Sequence, residues 1–160
     1  MVHSVSHSVM FHHFHNQIHL PAQGSINEEE FKDMLKWLQK NYSLVGASTY
    51  KKKFEEGKLS SSDICLSFDD ALKCQYDIAI PVLEEFGLDA FFFVYSSVFD
   101  SNPDYLEIFR LFRTSEFKNI DDFYFYFFKI VKQLDTGLYK KHHSIYERKN
   151  YLSGYSFYSD

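Results

Sequence analysis

At 160 residues, with 45 % hydrophobic and 24 % charged residues, the chain has the size and balance of one globular domain, which excludes a mainly disordered, collagen-like or coiled-coil protein. No run of about 18 apolar residues occurs, so no transmembrane helix is expected, and a net charge of −5 with only short basic runs argues against a nucleic-acid partner. Aromatic residues reach 19 %, with 18 Phe and 12 Tyr, and so many rings need a large core or a partner surface to cover them.

The N-terminal stretch MVHSVSHSVMFHHFH has neither a basic start nor a long apolar core, so no secretory signal is expected. Ser4 to Phe11 reads as a first strand. Past Pro21 and Gly24, Ser25-Ile26-Asn27-Glu28 fits a capping box opening a helix over Asn27–Asn41. Phe31, Met34, Leu35, Leu38 and Tyr42 recur at helical spacing and predict its core face. Leu44–Ala47 reads as a short second strand, and a helix follows from Ser48 to about Glu56. Lys51-Lys52-Lys53 within it, like Lys140-Lys141 further on, reads as a solvated face.

Asp63 to Phe68 is a brief apolar run that ends on Asp69-Asp70, as a buried strand with carboxylates at its C-terminal tip would. A helix over Leu72–Phe86 is expected to kink or restart near Ile80, because Pro81 lacks the amide that an unbroken helix needs. Gly87 suits the end of that helix. Ala90–Tyr95 is continuously apolar, the mark of a strand buried on both faces. Strands alternating with helices predict an α/β fold with parallel strands. After Ser101, helices are expected over 104–113, 121–135 and 138–150, with no further strand. Residues 1–100 thus form the β/α part and residues 101–160 an aromatic-rich helical insertion or extension.

Two features carry chemistry. Adjacent acids on an extended chain point to different sides, so Asp69 and Asp70 can hold separate roles, one binding a metal and the other acting as a base. The competing assignment makes Asp70 a helix cap. Six of the eight histidines lie within the first 19 residues. Imidazole suits zinc and neighbouring metals, and a catalytic zinc takes about three protein ligands and keeps one position open. In parallel β/α folds the C-terminal ends of strands share one face, so His12, His13 and His15 could meet the Asp tip; otherwise they are loop residues, and His3 and His7 are given no role. Cys65 and Cys74 match no metal or disulfide-framework spacing and are expected to be reduced, buried thiols in a cytoplasmic protein.

From Val9 to about Phe99 the chain resembles the polysaccharide deacetylases, the NodB-homology family. Val9-Met10-Phe11-His12 is similar to that family's first strand, and Phe31 to Tyr42 to the helix after it. Ser67-Phe68-Asp69-Asp70 resembles its first motif, threonine-phenylalanine-Asp-Asp-Gly, with Ser67 for Thr and Ala71 for Gly. Ala79–Leu83 and Gly87–Val94 resemble the next helix and strand. The resemblance implies a partial or distorted (β/α) barrel with about three to four parallel strands. It implies a divalent metal, zinc foremost, and hydrolysis of N- or O-acetyl groups from a sugar or polysaccharide by metal-activated water; the expected cytoplasmic location points to a sugar intermediate in surface-polysaccharide synthesis rather than finished wall polymer. By the resemblance Asp69 would be the base, Asp70 a metal ligand, and His12 a ligand or a substrate contact; the histidine cluster adds His13 as a candidate ligand.

The family's second motif, two histidines four apart, has no full match; His143-Ser144-Ile145-Tyr146-Glu147 begins that way and reads as chance. Family domains are longer than this chain, which looks like a first part, an incomplete catalytic domain. Phe91, Phe93, Phe125 and Phe127 would then lack partners and call for a homodimer or a C-terminal half to cover them. The rival readings are a catalytically inactive, deacetylase-like remnant that binds a partner, and an unrelated α/β module with a metal-storing histidine-rich start.

Overall fold

The structure is a computed structural model, and it describes residues 6–134 together with 137, 140 and 141. Its strands are β1 (His7–Phe11), β2 (Ser43–Leu44), β3 (Asp63–Phe68) and β4 (Phe91–Phe92). Its α-helices are α1 (Glu28–Asn41), α2 (Ala47–Glu55), α3 (Ile80–Glu85), α4 (Tyr105–Glu116) and α5 (Ile120–Val131). The chain divides into two compact units, the first ending at Ser115 and the second beginning at Glu116. The expected helix over 138–150 and the His143–Glu147 segment lie outside the continuously described residues. No helix among the described residues is long and apolar enough to cross a membrane.

The first unit is a mixed α/β structure on a parallel sheet. All six residues of β3 are buried, and β3 is the centre of the sheet. β1 runs parallel along one edge, with His7 opposite Ile64 and Phe11 opposite Phe68. β2 pairs with Asp63–Ile64 at the start of β3, and β4 with Ser67–Phe68 at its end, both parallel. β4 departs from expectation. It is two residues long, Phe92 is 38 % exposed and Phe93 57 % exposed. It holds only the end of β3, and no other strand pairs with it among the described residues, so it stays half-covered.

Helix α1 starts later than the capping-box reading placed it. Asn27 accepts the Glu30 amide at 3.0 Å, and Glu30 accepts the Asn27 amide at 2.8 Å. Glu28, Glu29 and Glu30 then sit where the helix dipole favours negative charge. Ser25 instead bonds Ala22 and His15. Phe31, Leu35 and Leu38 are buried one helical turn apart, whereas Met34 is 43 % exposed and lies off the core face. The core joins this face to β3 and α3, with an aromatic cluster at its centre. The Phe31 ring lies 5.0 Å from Phe11, 5.1 Å from Phe14 and 6.1 Å from Phe68, each edge to face.

β2 stops at Leu44 because α2 begins at Ala47. Gly46 permits this turn: a Cβ there would lie 1.9 Å from Asp89 Oδ1. Asp89 occupies that space and accepts the Ser48 amide at 3.0 Å, capping α2 from the approach to β4. Ser48 holds the Asp89 carboxyl below its ordinary range.

Lys53 is not the solvated lysine that the basic run suggested. Its Nζ donates to Oδ1 of the buried Asp63 at 2.9 Å, and the Ser60 amide donates to Oδ2 at 2.8 Å. The lysine first, then the amide, bring the Asp63 carboxyl down to about 2 from 3.8. The unfolded carboxyl therefore takes up its proton at higher pH than the folded one. Its stabilisation is intact above about pH 4 and is lost as the pH falls toward 2. In urea melts across this window the midpoint is expected to fall. Asp63→Asn is expected to start lower at neutral pH and to fall less.

The expected restart near Ile80 is not seen: the helical segment after β3 runs without a break from Lys73 to Glu85 and changes pitch just before Pro81. A π-helical turn spans Gln75–Ala79, closed by the Ile80 amide on the Gln75 carbonyl, and α3 follows. Gly87, at φ 64°, ends α3, its amide on the Glu84 carbonyl at 3.1 Å and that of Leu88 on Leu83 at 2.9 Å.

In the second unit, Asn119 caps α5 by accepting the Asp122 amide at 2.9 Å. Phe125 is 65 % and Phe127 45 % exposed, and with Phe93 they meet the expectation of uncovered rings. Phe91 is instead half-buried against Tyr50 and Phe93.

Candidate active site

Register decides which side chains meet. Phe11 and Phe68 are partners at the ends of β1 and β3, so the next residues on each strand, His12 and Asp69, emerge side by side. The Asp69 amide extends the ladder by one bond to the Phe11 carbonyl, at 3.3 Å. His12 Nε2 lies 3.8 Å from Asp69 Oδ2 and 3.7 Å from Asp70 Oδ2. All three side chains are about one-third exposed, so they are open to solvent above a closed aromatic core. The two strand tips thus come together.

The capping assignment for Asp70 does not hold. Neither acid accepts a helix amide; the Gln75 amide bonds the Leu72 carbonyl instead, at 3.0 Å. Asp70 and Ala71 adopt φ of 71° and 50°, the left-handed region that costs a side-chain-bearing residue about 1–2 kcal/mol. Two such residues in succession turn the chain sharply after β3, and Ala71 stands where glycine would relieve the strain. Strain of this kind concentrates at functional sites.

Behind the tips, the start of the next helical segment clasps both strands. The buried Gln75 donates from Nε2 to the His12 carbonyl at 2.8 Å and to the Asp69 carbonyl at 2.6 Å. Cys74 Sγ accepts the Phe14 amide at 3.4 Å. Sequence reasoning passed over Gln75; its one signal is an amide among Cys74, Ile78 and Ala79 in an otherwise apolar helix face.

His13 takes a different direction from His12, although the two rings are nearly parallel. Its Nε2 contacts Glu107 Oε2 of α4 at 2.9 Å, and Arg110 approaches both its ring nitrogens. Burial pushes the Glu107 carboxyl up, but His13 and Arg110 outweigh it and leave it below its ordinary range. His13, one of the candidate ligands, thus joins Glu107 of α4 and makes no ion pair with Asp69 or Asp70 among the described residues. His15 bonds Ser25 at 2.9 Å, and His19 pairs with Asp77 at 2.7 Å. An open depression of about 400 Å³ borders His12, with Gln23, Met34 and Arg110 on its walls. A second, of about 350 Å³ and mostly apolar, lies between Phe14, Leu72 and α4.

Cys65 and Cys74 are free and buried, as expected. Burial raises both thiols, so neither is poised as a nucleophile. The chemistry of the tip suits a divalent cation: an imidazole and a carboxylate 3.7 Å apart can share one ion with ligand distances near 2.0–2.2 Å. Among the described residues, no group of three or more His, Cys, Asp or Glu side chains converges as a metal cage.

No family model matches the chain, and no curated protein matches it. Among solved structures it is similar to a de-N-acetylase from Aggregatibacter actinomycetemcomitans, at 22 % identity and a TM-score of 0.47. The match covers 61 % of this chain and 40 % of that one, so this chain spans well under half of the enzyme's length.

Proposed function

We propose that the chain is the N-terminal part of a metal-dependent carbohydrate deacetylase with a partial (β/α)-barrel fold, acting on acetylated sugars in surface-polysaccharide metabolism. The observation that carries this reading is the His12 imidazole within 3.8 Å of both the Asp69 and the Asp70 carboxylates, at the C-terminal tips of two paired parallel strands. The likeness of Ser67-Phe68-Asp69-Asp70 to the deacetylase motif supports it.

Asp70 and His12 are the residues that would hold the metal, the imidazole serving either as a ligand or as a contact to substrate. A bound divalent ion, zinc foremost, would polarise the acetyl carbonyl and make a water more acidic. Asp69 is the base: its carboxylate takes the proton from the attacking water and returns it to the departing sugar amine or hydroxyl. Its main chain is held by Phe11 and Gln75, so the carboxylate keeps its place while its charge changes. The strained turn at Asp70 and Ala71 lets adjacent residues present both carboxylates toward His12.

Acetate release from an N-acetylglucosamine oligomer and from an O-acetylated sugar, measured with zinc present, tests this reading. Release that depends on Asp69 supports it. A folded protein that releases none would favour the inactive, partner-binding remnant.

A further inference from the structure

Gln75 is 1 % exposed, and its side-chain oxygen is buried with no hydrogen-bond partner among the described residues. A leucine or methionine would fill similar space without an unmet acceptor, so packing alone does not account for an amide here. The amide's orientation is settled by its two acceptors, because the flipped form would set its oxygen against two carbonyl oxygens. Those acceptors are the main chains of His12 and Asp69, each one residue past the end of its strand.

The stacked Phe11 and Phe68 rings join the two strands just below the tips, so what Gln75 adds is a tie at the tips themselves. The last ladder bond, from the Asp69 amide to Phe11, is 3.3 Å long, and the chain beyond it runs through two left-handed residues. The π turn that begins at Gln75 is a rare geometry, found frequently at functional sites.

We propose that Gln75 is a positioning residue: its side-chain amide ties the His12 and Asp69 main chains together and so sets the His12 imidazole against the Asp69 and Asp70 carboxylates. This rests on the reading of that trio as the reacting site, but its geometric part can be tested separately.

The test uses the full chain, with Gln75→Leu and Gln75→Met beside wild type. Crystal structures report the separation of His12 Nε2 from Asp69 and Asp70, thermal melts report folding, and acetate release reports kcat and KM. In both variants the separation is expected to widen by about 1 Å and kcat to fall about 10²-fold, with KM little changed. Methionine, the more adaptable filler, serves if the leucine variant fails to fold. A folded variant with the tips unmoved and kcat unchanged overturns the proposal. If wild type releases no acetate, the deacetylase reading fails, while the measured separation still decides whether Gln75 sets the tips.

Discussion

Asp69→Asn is expected to lower acetate release by about 10³-fold while leaving the fold and metal content nearly unchanged. Asparagine keeps the shape of the side chain, and the Asp69 main-chain bonds to Phe11 and Gln75 do not involve the carboxylate. What it removes is the ability to accept a proton from water. Initial rates and metal content, measured on the same preparations, check this. Activity within tenfold of wild type would place the base elsewhere. Loss of metal together with activity would make Asp69 a ligand rather than the base.

Phe31→Ala is expected to cost about 3–5 kcal/mol, a large share of the 5–15 kcal/mol by which domains of this size are stable. Phe31 is fully buried and touches the rings of Phe11, Phe14 and Phe68, so truncation opens a cavity in the aromatic cluster beneath the tips. Met34→Ala on the same helix is expected to cost less than about 0.5 kcal/mol, because that side chain lies off the core face. Urea unfolding followed by the fluorescence of Trp37, the single tryptophan, measures both. Equal costs for the two variants would contradict this account of the core.

Much of the fold is legible in the sequence because its signals are local. The apolar run of β3 ends on two acids, a π turn gives way to α3 just before Pro81, and Gly87 ends α3; each feature follows from the residues at that point. That a histidine after β1 can approach Asp69 follows from the rule that parallel strands share a C-terminal face. The register that brings it about, Phe11 against Phe68, is a tertiary fact.

Other features depend on partners distant in sequence. Ala90–Tyr95 reads as a doubly buried strand because its composition cannot tell whether a neighbour exists to cover it. The same applies to Lys53, whose neighbours suggest a solvated run until Asp63 is found beneath it. His13 looks equivalent to His12 in sequence, yet adjacent residues beyond a strand end diverge, and Glu107 and Arg110, about a hundred residues later, capture one of them. Gln75 was hidden for the opposite reason: glutamine in a helix is ordinary, and only its burial against two strand tips gives it a role.

Zinc stoichiometry of the purified chain beside its Asp70→Ala variant tests the central claim most directly. One equivalent in wild type, lost in Asp70→Ala, is the predicted result and would make the His12–Asp70 tip a working metal site. Absence of zinc from a folded wild type, or zinc binding that ignores Asp70, would contradict it.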